Sequence, residues 1–466
     1  MSLINKLKND VGPSKDYKFK ELIIDKCDVL LIFNEVLTDG QDINDFVLRK
    51  LLLLDKKQLN KLDNVLPNTN ITNIKESEIL NFVNNGYLVI VCKRKIYASE
   101  FKNVLERGIT TIESELSITG PKDSFSENFN TNLGLIRRRI KSSDLYVEDF
   151  TIGRSSKTKI GVLYMNNIVK KHLPEEVIEK LKRIDIDAII DSSYLKKILE
   201  GKKSVFPTIM MSERPDKSAM ALLEGKIVIL VDMSSYALIL PSFLIDFFHT
   251  SDDYYQKSFN VSFIRIIRFF AFLIAIFTPA IYIAVTTRNY DLVPYPLLMI
   301  LKAGRTFVPF PAYIEALFMI ICFEILKESD LRMSSTSGSA ISILGGLILG
   351  DAAVSAGVVS PIMIIIIAIS SIAGLIFTSI EFVNALRTYK IGLLFLGTVL
   401  GIYGVILGGI YMFYQLLRLK VFGLPYCTPF APYEANEIND SIIKKDTNVQ
   451  KRNSLLSNNI IRGRYK

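Results

Sequence analysis

The sequence predicts a membrane protein of two unlike halves. An N-terminal soluble α/β domain of two subdomains (residues 1–120 and 121–255) precedes an α-helical transmembrane bundle of four to five spans with broken helices (256–420) and a polar, basic C-terminal tail (421–466). Three observations lead there. A chain of 466 residues exceeds one compact soluble core. Its 49% hydrophobic content averages a polar first half and an apolar second half. Phe269–Val285 runs without a charge directly after Arg265 and Arg268, the pattern of a helix end held at the cytoplasmic face.

Strand and helix signals alternate in the first half, as in layered α/β structure. Tyr87–Ser99 (YLVIVCKRKIYAS) and Lys226–Leu240 (KIVILVDMSSYALIL) each read as two β-rich runs around a short polar turn, hence hairpins. Pro174 opens a helix with Glu175 and Glu176 in its first turn and Val177, Ile178, Leu181 and Ile184 on one face. Asp185–Ile190 reads as a strand; Asp191 or Ser192 caps the next helix, which runs to Leu199 and ends at Gly201. The polar stretch 117–133 separates the two subdomains.

No catalytic constellation stands out, so the chain reads as a non-enzyme without cofactor or metal. His172 and His249 lie near no plausible nucleophile in sequence, and the four cysteines share no metal spacing. GRSSKTK at 153–159 lacks the glycine spacing that aims several backbone amides at one phosphate. The basic run Arg137, Arg138, Arg139 can meet lipid headgroups, acidic groups across a subunit interface, or solvent. A net charge of +9 suits nucleic acid or anionic lipid, and the apolar spans favour lipid over nucleic acid. The N-terminus carries no apolar signal-peptide core, which keeps residues 1–255 in the cytoplasm.

In the membrane half, Pro279 lies inside the first span, where neighbouring helices tolerate it. Residues 306–326 form a second, with Glu315 and Glu324. A charge at mid-bilayer costs roughly 2.5–3.5 kcal/mol on insertion scales, so such residues face other helices, water or a partner. Ser339–Gly357 is rich in small residues, with Gly345, Gly346, Gly350, Asp351 and Ser355; that composition suits tight helix packing or the wall of a narrow conduit, and Asp351 favours the conduit. Ala352–Ile380 and Ile391–Leu417 supply two more spans. The basic tail places the C-terminus in the cytoplasm, hence four crossings plus interrupted elements around 293–304 and 339–357. The loop with Arg387 and Lys390 then faces outward, which argues for five crossings and an external tail instead.

The chain resembles the A subunits of GerA-type spore germinant receptors, including the GerK group and the related SpoVAF proteins. GPKDSFSENFNTNLGLIRRRIK (120–141), FPTIMMSERPDKSAMALLEGKIVILVD (206–232), DDYY (252–255), VPFPAYIEALFMIICFEIL (308–326) and GGLILGDAAVSAGVVSPIMI (345–364) carry the resemblance. It implies a multi-pass subunit in the spore inner membrane, with its N-terminal domain in the cytoplasm. The partners implied are a transporter-like B subunit and a C lipoprotein. It also implies a homo-oligomer, a pentamer, around a channel that releases monovalent cations when a nutrient is sensed. On this reading Gly345, Gly346, Gly350, Asp351 and Ser355 face the pore, supported by Glu315 and Glu324 on the adjacent helix; many relatives carry a neutral residue where this chain has Asp351. The alternatives are a non-conducting scaffold or SpoVAF-like amplifier, and a secondary transporter, which would require an internal repeat among the crossings.

Overall fold

A computed structural model describes the chain except residues 1–2, 26, 55–70, 93–94, 104–114, 116, 118, 202–203, 333–345, 347–349, 434–439, 445–448, 453, 459–460 and 465–466. It divides into two compact units. One comprises Met1–Lys202, Thr208–Ser242 and Thr447–Lys466, the other Lys203–Pro207 and Phe243–Asp446.

The first unit uses one module twice. After α1 (Leu3–Val11), the strands β1 (Tyr17–Ile24) and β2 (Cys27–Asn34) form a hairpin; β3 (Ile71–Asn73), α2 (Ile79–Asn84), β4 (Tyr87–Cys92) and β5 (Lys95–Glu100) follow. After α3 (Phe129–Arg139) come β6 (Leu145–Ile152), β7 (Thr158–Met165), α4 (His172–Lys182), α5 (Ser192–Glu200), β8 (Met210–Ser212), α6 (Pro215–Leu223), β9 (Ile227–Val231) and β10 (Ala237–Leu240). The spatial orders are β1-β2-β4-β5-β3 and β6-β7-β9-β10-β8, antiparallel throughout. Hairpin, edge strand, helix and second hairpin therefore recur in the same order.

Alternation along the strands explains the layers. In the first sheet Val29, Leu31, Leu88 and Ile90 point to one face and bury against Ile43, Val47 and Leu51, while Leu30, Ile32 and Val89 point to the other and meet Leu7 and Val11 of α1 and Ile79 and Val83 of α2. Both faces are covered, so β2 is apolar almost throughout. The two predicted hairpins are β4–β5 and β9–β10. The capped helix is α5, whose N-cap Asp191 accepts from the Ser193 amide and which ends at Gly201 with φ 68°.

Asp185–Ile190 is not a strand. Its carbonyls are taken by the turn between β6 and β7: the Arg154 amide donates to Ile186 O at 3.0 Å and the Ser155 amide to Asp187 O at 2.9 Å. The same turn is the GRSSKTK segment, whose amides are therefore committed to backbone rather than to a phosphate.

The second unit is helical: α7 (Ser258–Thr287), α8 (Tyr295–Ala303), α9 (Ala312–Arg332), α10 (Pro361–Leu375), α11 (Ile380–Leu400) and α12 (Ile402–Arg418), with residues 350–355 also helical. Among the described residues only α7 is both long and apolar enough to cross a membrane. At 1.5 Å per residue, α10 and α12 span about 22 and 26 Å, short of a hydrocarbon core of about 30 Å.

The predicted continuous spans are broken, each at a glycine. Gly357 (φ 66°) ends the helix before Pro361, and Gly401 (φ 64°) divides Ile391–Leu417 into α11 and α12. A Cβ at Gly401 would lie 2.2 Å from Asn289 Oδ1, the atom that accepts from the Ile402 amide at 2.9 Å. Arg387 and Lys390, expected in an outward loop, are inside α11.

Candidate functional site

The three arginines on α3 work within the first unit. Arg137 is buried, its Nε and Nη2 donating to Asp16 at 2.9 and 3.1 Å, with its guanidinium 5.1 Å from the centre of the Tyr17 ring. Asp16 also accepts from Asn34 Nδ2, so one ion pair joins the first sheet to the start of the second module. Burial pushes the Tyr17 hydroxyl up to about 12. Arg139 is held by Asp123 at 2.6 Å and Arg138 donates to Asn103 O at 2.8 Å. The expectation of a basic patch is thus corrected for Arg137, which has no free face; a charge run on a helix does not reveal which member turns inward.

The motif SERPDK is a brace. Arg214 pairs with Asp216 and donates to Glu115 O and Pro121 O, while Lys217 Nζ contacts Glu115 Oε1 at 2.6 Å. It fixes the segment leading into α3.

In the second unit, large apolar side chains point outward on nearly every helix, among them Phe259, Phe263 and Phe270 of α7 and Tyr403, Leu407 and Ile410 of α12; Phe307 is 88% exposed. Water does not favour such a surface. Among the described residues, the unit's buried charges fall in three places.

At the start of α7, Arg265 and Arg268 do not reach outward. Both are buried on Asp253, from the DDYY motif, with Arg265 Nε at 3.0 Å and Arg268 Nη1 at 2.8 Å. Burial would raise the Asp253 carboxyl, but hydrogen bonds and charge from Arg268 and Arg265 outweigh it and hold it below the usual range. His249 Nε2 lies 2.8 Å from Ser441 O; burial and then the neighbouring Arg265 lower its imidazole to about 4.

The second place is Glu315, 1% exposed. Its Oε1 accepts from Arg305 Nη2 at 2.8 Å and Nε at 3.2 Å, and its Oε2 accepts from the Ser360 amide at 3.1 Å. Ser360 is the N-cap of α10, so the carboxylate also sits where a helix dipole favours an anion. Arg305, missed in the sequence, could have been found as the basic residue nearest Glu315 along the chain.

The third place is a cavity of about 400 Å³ lined by Glu324 and Lys327 of α9, Arg387 and Lys390 of α11, and Gly346 and Gly350. Arg387 Nη1 contacts Glu324 Oε2 at 2.9 Å. The structure thus brings together three residues picked as site candidates in sequence, Glu324, Gly346 and Gly350, with Arg387 and Lys390, read there only as loop charges, and Lys327, which was not read at all. Spacing i, i+3 on two helices, Glu324/Lys327 and Arg387/Lys390, was the available signal. Glu315 does not line this cavity. Among the described residues nothing lies within 4 Å of a Cβ built at Gly346 or Gly350, whereas Cβ atoms at Gly397, Gly404 and Gly408 would come within 2.9, 2.3 and 2.5 Å of neighbouring atoms. Close helix packing therefore explains the second group and not the first. Asp351 and Ser355 are exposed; Gly345 lies outside the described residues.

Two α/β modules of one pattern, joined in the same chain to a helical unit with an apolar exterior and buried charges among its helices, define the class of architecture. The family model described as Bacillus/Clostridium GerA spore germination protein matches residues 5–455. Spore germination protein KA of Bacillus subtilis (strain 168) is 40% identical over 342 residues, covering 73% of this chain; the chain spans 62% of that protein. Spore germination protein GerQA of Bacillus cereus is 33% identical over 458 residues, covering 97% of this chain and 92% of its own length. The crystal structure of the N-terminal domain of the A subunit of the Bacillus megaterium spore germinant receptor GerK3 is similar at a TM-score of 0.40 and 25% identity, over 52% of this chain and 94% of that one. The chain belongs to the GerA family of spore germination proteins.

Proposed function

We infer that this chain is the A subunit of a nutrient germinant receptor in the spore inner membrane, and that several copies enclose a passage for monovalent cations. On this reading it assembles with a transporter-like B subunit and a C lipoprotein, the helical unit crosses the membrane several times and the first unit lies on the cytoplasmic side. Family membership supports the role in germination, and the outward apolar side chains of the helical unit support the membrane.

One observation carries the passage. Asp351 and Ser355, one helical turn apart, are exposed on a segment whose other members at 350–357 are small or apolar, beside glycines for which no described neighbour requires close packing. A carboxylate facing acyl chains costs roughly 2.5–3.5 kcal/mol, so this face belongs against water or another copy. A ring of such faces gives a closed conduit whose small side chains set its radius and whose acids set its preference for cations. Glu315 acts differently from a pore lining: it holds α10 to Arg305 behind the passage.

The test is potassium release from spores carrying Asp351→Asn or Gly346→Leu. The reading expects slower release or altered ion preference with receptor levels maintained. Unchanged release in both variants would overturn it.

A further inference from the structure

The cavity between α9 and α11 contains an unbalanced charge. Glu324 is paired with Arg387, but Lys390, 8% exposed, forms no hydrogen bond or ion pair among the described residues, and Lys327 forms no ion pair there. Among the described residues of the wall, three cations against one carboxylate leave a net charge of +2. Apart from Ser371 and Cys322 the remaining described wall is apolar, with Met319, Phe323, Ile364 and Leu386 among its members, and Gly346 and Gly350 meet no described neighbour. A buried, unpartnered ammonium is costly and is retained where something recovers the cost. The volume falls in the range of small-molecule sites, and a few convergent polar groups on an apolar lining are the usual form of such a site.

We propose that this cavity binds the anionic head of a small amphiphile, a carboxylate or phosphate carried on a hydrocarbon body, with Lys390 and Lys327 taking the charge and the apolar wall taking the body. The ion pair of Glu324 with Arg387 fixes the rim between the two helices, so an occupant bridges α9 and α11 and resists their separation. The source is either a free amphiphile or a bilayer lipid. This site shares Gly346 and Gly350 with the stretch proposed to line the cation passage, but an anion bound here neutralises charges of one subunit and needs no second copy.

Cys322 lines the same cavity and is partly exposed, whereas Cys27, Cys92 and Cys427 are buried, so maleimide modification of Cys322 reports occupancy. The full chain in detergent is labelled with octanoate, octanol or neither, and the modified residue is located by mass spectrometry. The proposal expects octanoate to slow Cys322 labelling on the order of tenfold while octanol does not, Lys390→Met to abolish protection, and Lys390→Arg to retain it; a tenfold change corresponds to about 1.4 kcal/mol. Without octanoate, slower labelling in phosphatidylglycerol than in phosphatidylcholine vesicles assigns the site to a lipid headgroup. Octanoate protection in detergent with equal rates in the two vesicles assigns it to a free amphiphile. Should Lys390→Met fail to fold, Lys327→Gln serves in its place, with weakened protection expected. Equal protection by octanol, full protection in the charge-removing variants, or no protection by octanoate or phosphatidylglycerol overturns the proposal.

Discussion

Replacing Glu315 with leucine tests whether this acid is a structural anchor. The change keeps side-chain size and removes both carboxylate oxygens. Arg305 then loses its partner at 2.8 Å, and the Ser360 amide at the head of α10 loses its acceptor at 3.1 Å. Breaking a buried pair by removing one partner costs about 3–5 kcal/mol, of which the orphaned buried amide accounts for about 1–3 kcal/mol. Arg305 keeps partial access to solvent, which places the expected loss nearer 3 than 5 kcal/mol. Denaturant unfolding of the detergent-purified chain, followed by far-UV circular dichroism, measures it. The double variant Glu315→Leu, Arg305→Met removes both charges and should recover the part of the loss owed to the unpaired guanidinium, leaving the part owed to the Ser360 amide. A single variant within about 1 kcal/mol of the parent, or a double variant as unstable as the summed singles, would refute the anchor.

Much of the first unit was legible because its signals are local. Two turns bounded by β-rich runs gave β4–β5 and β9–β10, and an Asx cap with a terminal glycine gave α5 almost to the residue. What failed depended on distant partners. Asp185–Ile190 has the composition of a strand, but the preceding turn takes its carbonyls. Arg265 and Arg268 read as interfacial anchors because nothing local shows that Asp253 will bury them. The helical unit misled in another way: uninterrupted hydropathy does not register a single left-handed glycine, so Gly401 passed unnoticed inside a predicted span. Of the site, the acids and glycines were identifiable by their cost in an apolar setting, while their assembly with Lys327 and Lys390 needed the crossing of α9 and α11.

Further expectations follow from the same contacts. Arg137→Met leaves Asp16 buried without its cation and should destabilise the first unit by about 3–5 kcal/mol in denaturant unfolding, while Arg138→Met, at the surface, should change it by less than about 0.5 kcal/mol. Gly404→Ala, whose Cβ would press on the Leu396 carbonyl, should cost at least about 1–3 kcal/mol, whereas Gly346→Ala, with open space above it, should be within about 0.5 kcal/mol of the parent. Acid sensitivity has a definite sign. His249 is held near 4 when folded and returns to about 6.5 when unfolded, so the unfolded chain binds the extra proton and stability falls as pH drops through that window, by at most about 1.4 kcal/mol per pH unit. Asp253, depressed when folded, holds its contribution above about 3.9 and loses it only below that, so His249→Gln should flatten the loss between pH 6.5 and 4 and leave the steeper loss beneath it.

The most direct test of the passage places a cysteine at Ser355 and asks whether blocking it stops ions. The chain carrying Ser355→Cys, reconstituted with the partner subunits proposed above in potassium-loaded vesicles, is triggered with germinant before and after a charged, membrane-impermeant methanethiosulfonate reagent. A water-filled passage predicts that the positively charged reagent reaches this residue and strongly reduces potassium release, with reversal by reductant. Complete modification with undiminished release, or no modification in the triggered state, contradicts a conduit along residues 346–355.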